Sequence, residues 1–200
     1  MARTIAKDHQ AKRDALLKKA AVFFAGNGFD RASMNDLAAA AGVSKALLYH
    51  YFVSKEAILF AIIDAHLNAI VEAVEAADIS ANTPQEQLRA LIQSILRAYD
   101  GADAEHRLQL EAMGSLGAEQ RAHLAKLQRR LVSEMSAHLA AVVPGGGFAK
   151  PEVARAVTMS VFGILNWMYL WFSADRGISR EEYGDLVTDM VLGGIGNVGN

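Results

Sequence analysis

Ser44, Lys45, Tyr49 and His50 lie within one short stretch, which reads SMNDLAAAAGVSKALLYHYF over residues 33–52. A hydroxyl, an ammonium, a phenol and an imidazole at helical spacing can donate hydrogen bonds to the oxygens of a polyanion. Other candidate chemistries fail on spacing or context. The chain has no cysteine, which excludes disulfides, thiolate metal sites, iron–sulfur clusters and cysteine nucleophiles. Glu119/His123 and Glu134/His138 are i, i+4 pairs, but such pairs are far more often helix salt bridges than metal ligands. Gly114-Ser115-x-Gly117 lacks both the spacing and the preceding strand of a nucleophile elbow. Gly194-x-Gly196-x-x-Gly199 follows no strand and opens no helix, so it reads as a tail rather than a dinucleotide loop. We therefore expect no catalysis, no metal and no cofactor.

The elements that must position this stretch are helices. A first helix is expected from about Asp8 to Gly26, with Leu16, Ala20, Phe23 and Phe24 on one face. Gly26-Asn27-Gly28 ends it. Ser33 caps a second helix, Met34 to Ala41, with Asp36 three residues on in a capping-box-like spacing. Gly42-Val43 makes a turn, and Ser44 caps a third helix, Lys45 to about Tyr51. Helix, glycine turn, helix in about 20 residues has the parts of a helix-turn-helix. Small Ala38, Ala39 and Ala41 let the two helices cross closely, and Val43 and Leu48 fill the angle. Phe52 is expected in the core and Tyr51 facing it. The outward set is Lys45, Ala46, Leu47, Tyr49 and His50.

Six further helices follow: about Ser54–Ala77, Pro84–Asp100, Ala102–Met113, Ala118–Val143, Pro151–Ala174 and Arg180–Leu192. Pro144 to Gly147 is the clearest break. Nine helices with no strand make an all-α chain, with a soft boundary after residue 54. Residues 1–60 carry nine Lys/Arg against five Asp/Glu, and the rest carries 11 against 17, so a basic head precedes an acidic body. His106 is expected at the surface. No charged secretory leader is visible, and a cytoplasmic protein is expected. Ala156 to Ala174 is uncharged, close to the roughly 20 residues of a membrane span. Thr158, Ser160, Gly163, Asn166, Tyr169 and Ser173 interrupt it, so a helix buried on all faces, in a core or between subunits, is the better reading.

The run AAAAGVSKALLYHYFVSKEAIL from Ala38 to Leu59, with Phe29, Ser33 and the helix before them, resembles the tetracycline-repressor (TetR) family of bacterial transcription regulators. The resemblance implies a DNA-binding domain over residues 1–54 and an effector-binding and dimerisation domain over 55–200. It implies DNA contacts from Arg31, Ser33, Ser44, Lys45, Ala46, Leu47, Tyr49, His50 and Lys55. The third helix lacks Arg, Asn and Gln, so base reading should lean on Lys45, on apolar contacts from Ala46 and Leu47, and on DNA shape.

The same resemblance implies a homodimer on double-stranded operator DNA, released by a small-molecule effector, with no membrane partner. The dimer residues expected are Leu165, Trp171, Phe172, Val187, Met190 and Val191. Residues 162–195 look like a subgroup that responds to acyl-CoA thioesters, although Leu170 stands where members often carry a basic residue. Tyr99, Arg107, Met113, Asn166 and Trp167 are the expected effector contacts. A drug-like or aromatic effector is the alternative, as is a protein that binds DNA without sequence choice.

Overall fold

Two serines and a glycine set the limits of the second and third helices. In the computed structural model the Ser33 side chain accepts from the Asp36 N–H and opens α2 (Met34–Ala41). Gly42 ends α2 at φ 69°, in the left-handed region where a Cβ is unfavourable. Its N–H and that of Val43 bond back to α2 carbonyls. Ser44 then accepts from the Leu47 N–H and opens α3 (Lys45–Tyr51). The structure describes residues 2–77, 83–143, 148, 150–173 and 177–196, with side chains from His9 onward. The expected break at Pro144–Gly147, the end of the uncharged stretch at Ala174, and Gly199 lie outside the described residues.

The remaining helices are α1 (Ala2–Asn27), α4 (Lys55–Glu75), α5 (Pro84–Ala98), α6 (Asp103–Glu111), α7 (Ala118–Val142), α8 (Pro151–Asn166) and α9 (Arg180–Ile195). That makes nine α-helices among the described residues. The expected extent of α8 needs correction. Its α-helical hydrogen bonding stops at Asn166, and Trp167–Leu170 form a tighter 3₁₀ turn. Pro151–Leu170 and α4 are each long and apolar enough to cross a membrane by length and composition. Along α4, however, Ile58, Leu59, Ile62, Ile63, Leu67 and Ile70 are buried within the chain, as expected of a core helix.

Close contacts divide the chain into two compact units. The first holds residues 1–67 and 102–124, the second residues 68–101 and 125–200. In the first, Leu16, Ala20 and Phe24 of α1 are buried together with Leu37 and Ala41 of α2, Leu48 of α3, and Ile58 and Ile62 of α4. Each of the leucine, isoleucine and phenylalanine side chains contributes about 1.5–3 kcal/mol by leaving water. Lys19 of α1 donates its ammonium to the Ala41 carbonyl (2.7 Å), placing a cation at the C-terminus of α2. The first unit also includes α6, which packs along α1.

His106 of α6 corrects an expectation. It is buried rather than at the surface, because its Nδ1 lies 3.2 Å from Nε2 of His66, 40 residues earlier on α4. Burial, with the neighbouring imidazole, lowers the His66 pKa to about 3. Nearby, His123 pairs with Asp64 (2.7 Å) and packs edge-on against Phe60, rather than turning to Glu119.

In the second unit α5 lies along α9. Arg89 reaches Asp185 (2.9 Å) and Asp189 (2.5 Å). The Gln93 amide donates to the Glu181 carbonyl (2.7 Å). A Cβ on Gly184 would lie 2.7 Å from the Gln93 side chain, so glycine permits this close approach. Both helices open with complete capping boxes, Thr83 with Glu86 and Ser179 with Glu182.

Candidate nucleic-acid interface

Leu48 and Phe52 are buried and fix the inner side of α3. Their i, i+4 spacing leaves Ser44, Lys45, Ala46, Leu47, Tyr49 and His50 exposed together. All five outward residues expected from the sequence, Lys45, Ala46, Leu47, Tyr49 and His50, are therefore on the open side of α3, with the cap Ser44 beside them. Val43, expected to fill the angle, is only half-buried, so Leu48 fills most of it.

The exposed side chains support one another. The Lys45 ammonium lies 5.8 Å from the Tyr49 ring centroid, an i, i+4 cation–π pair. Tyr51 is half-buried rather than core-facing, and its ring packs at 4.6 Å on His9 of α1. His50 stands edge-on to Tyr51 (5.3 Å) and to His9 (5.9 Å). His9 was not expected here, since no local signal links it to a residue 41 positions away. With Lys12 and Lys19 of α1 lining the groove beside Leu47, donors on two helices converge on one face. A face of cations, hydroxyls and imidazoles suits a phosphate backbone.

Two expected phosphate contacts are already occupied. The Ser33 hydroxyl donates to the Asp36 carboxylate (2.6 Å) while accepting from its N–H (3.2 Å). A phosphate approaching this helix start meets the Asp36 charge. The Lys55 ammonium donates to the carbonyls of Phe29 (3.1 Å), Asp30 (3.1 Å) and Ala32 (3.2 Å) and sits over the Phe29 ring. All three of its N–H donors are used, so here it braces the loop between α1 and α2. Arg31 is exposed, with its guanidinium folded against Gly28.

The expected effector residues divide between the units. Tyr99 is buried and donates its hydroxyl to Asn166 Oδ1 (2.8 Å). Burial pushes its phenol far above the ordinary range, so it stays neutral. Trp167, next to Asn166, is 63% exposed. Arg107 and Met113 belong to the first unit, where Arg107 pairs with Glu111 at 3.0 Å.

The expected dimer residues divide by burial. Leu165 (0% exposed) and Val187 (1%) are covered by their own chain, so neither can form a subunit surface. Phe172 is half-buried beneath the Arg180 guanidinium, 4.9 Å from its ring, and Val191 is half-buried. Trp171 and Met190 are open, and with them Met159, Leu170 and Leu186, which were not expected. These exposed apolar residues lie on α8, on the 3₁₀ turn and the residue after it, and on α9.

Among the described residues no cluster of three metal-ligating side chains occurs. Comparison with known proteins places these features in context. The family model "Bacterial regulatory proteins, tetR family" matches residues 16–62, and "Tetracyclin repressor-like, C-terminal domain" matches residues 81–195. A TetR-family transcriptional regulator from Bordetella parapertussis superposes with a TM-score of 0.86 at 30% identity, over 94% of this chain and 97% of that one. AibR, solved in complex with isovaleryl coenzyme A and operator DNA, gives a TM-score of 0.74 at 25% identity, over 89% and 96% of the two chains. The transcriptional repressor KstR2 of Mycolicibacterium smegmatis is 23% identical over 92% of this chain and 91% of its own.

Proposed function

The chain belongs to the TetR family of bacterial regulatory proteins, and from that membership we propose that it is a dimeric repressor which releases a palindromic operator when a small hydrophobic effector binds. Residues 1–54 form the DNA-reading domain in this proposal, and residues 55–200 form the effector and dimer domain. The observation that carries it is the open face of α3, with Lys45, Leu47, Tyr49 and His50 free to enter a major groove while Leu48 and Phe52 anchor the helix from behind. Phosphate contacts from Tyr49, His50 and Lys45 would set the register. Ala46 and Leu47 would meet thymine methyls.

The apolar surface of Met159, Leu170, Trp171, Leu186 and Met190 supports a two-fold dimer built on α8 and α9. An acyl-CoA thioester is the favoured effector class. The likeness of the C-terminal half to AibR, whose complex holds isovaleryl coenzyme A, supports it. Buried Tyr99, hydrogen-bonded to half-buried Asn166, supplies a neutral polar point suited to a thioester carbonyl or amide. The test is fluorescence anisotropy on a selected operator fragment, titrated with acyl-CoAs of increasing chain length and with free coenzyme A. Release by one thioester, and not by coenzyme A, supports the reading. Retention of DNA throughout the series refutes this effector class.

A further inference from the structure

The first unit contains a cleft of about 350 Å³ between the end of α1, the loop that follows it, and α6. Its apolar wall is formed by Phe24, Phe29 and Leu108, each otherwise buried. Its polar rim carries Asp30, Arg31, Arg107, Glu111 and Ser115. The charges on that rim are not equally available. Arg107 is held by Glu111 (3.0 Å), and the neighbouring Asp30 accepts from the Ser115 hydroxyl (3.2 Å). Arg31 has no ion pair or hydrogen bond among the described residues, and its exposed guanidinium lies beside Gly28 on the cleft wall.

One unpaired guanidinium at the edge of an apolar recess is the arrangement that takes an amphipathic carboxylate, with bidentate hydrogen bonds to the head and burial for the tail. At roughly 30 Å³ for each water-sized group, the cleft holds about a dozen non-hydrogen atoms. We infer that the α1–α6 cleft is a second ligand site, for a monocarboxylate with an apolar body of about eight carbons. Arg31 binds its head, and Phe24, Phe29 and Leu108 contact its tail. An occupant has a defined consequence. Arg31 precedes the Ser33 cap of α2, so a bound carboxylate ties the loop that starts the helix-turn-helix to α6 and withdraws Arg31 from a DNA phosphate.

The test uses the intact chain with octanoate and octanol as probes, read by the methyl resonances of Leu108 and Ala112. Octanoate is expected to shift both methyls saturably, with octanol binding about tenfold more weakly because it lacks the charge-assisted pair. Arg31→Gln, at an exposed position, should lower octanoate affinity to the octanol level and leave the rest of the spectrum in place. Octanoate should also weaken DNA binding by the parent chain more than by Arg31→Gln. Methyls that do not move at millimolar octanoate overturn the inference, as does equal octanoate affinity in the parent and in Arg31→Gln.

Discussion

Acid should weaken this fold through His66. Its imidazole lies between α4 and α6, with Nε2 3.2 Å from His106 Nδ1, and charging it puts a cation beside a second imidazole in a dry site. The folded-state pKa falls to about 3 from an ordinary 6.5. In the unfolded chain His66 binds a proton near pH 6.5, whereas the folded chain refuses it until about pH 3. The contribution is therefore complete above pH 6.5 and is lost as pH falls through that window, at about 1.4 kcal/mol per unit. Between pH 6.5 and pH 5 the loss is roughly 2 kcal/mol per protomer.

The neighbouring Glu105, raised by burial and by Asp103 and lowered by its own backbone hydrogen bond and by Lys18, belongs to the background. A reference chain separates the two. His66→Leu/His106→Leu removes both imidazoles and keeps every other titrating group. Urea unfolding at fixed protomer concentration and ionic strength, from pH 7.5 to pH 5, measures the difference in slope. The parent should lose roughly 2 kcal/mol more than the double variant. Parallel stability curves for the two chains would refute a buried, neutral His66.

Other substitutions have equally definite outcomes. Gly42→Ala meets no neighbouring atom but forces a Cβ onto φ 69°, so thermal unfolding should show a loss of about 1–2 kcal/mol and DNA affinity should fall with it. Met190→Glu places a charge on the exposed apolar face and should give a folded monomer by light scattering, whereas Leu165→Ala should lose about 2–5 kcal/mol by opening a core cavity. Tyr99→Phe removes the donor to Asn166 and should cost about 1–3 kcal/mol in chemical denaturation, with a change in acyl-CoA affinity if this pair faces the ligand.

The helix-turn-helix was legible because its determinants are local. Ser33, Gly42 and Ser44 act within four residues of themselves, and Leu48 and Phe52 follow from helical periodicity. The C-terminal half was less legible where the decisive contact is remote. Every face of residues 161–172 is apolar, so periodicity alone cannot say that Leu165 points inward while Leu170 and Trp171 point outward. That choice is made by the packing around α8. His106 looks like a polar surface residue until His66, 40 positions earlier, supplies its partner. Lys55 carries a charge suited to phosphate, yet three carbonyls of the preceding loop take its donors. His9 joins the exposed face of α3 only because α1 passes beside the end of α3.

The most direct measurement is selection of genomic fragments by the purified chain at near-physiological salt, with competitor DNA present, repeated with Lys45→Ala. The parent should enrich an inverted repeat whose half-sites lie about one helical turn apart. Lys45→Ala should bind that repeat with a salt slope reduced by about one. Failure of the folded parent chain to enrich any sequence over random DNA, with and without acyl-CoAs, would contradict the assignment of α3 as a sequence reader.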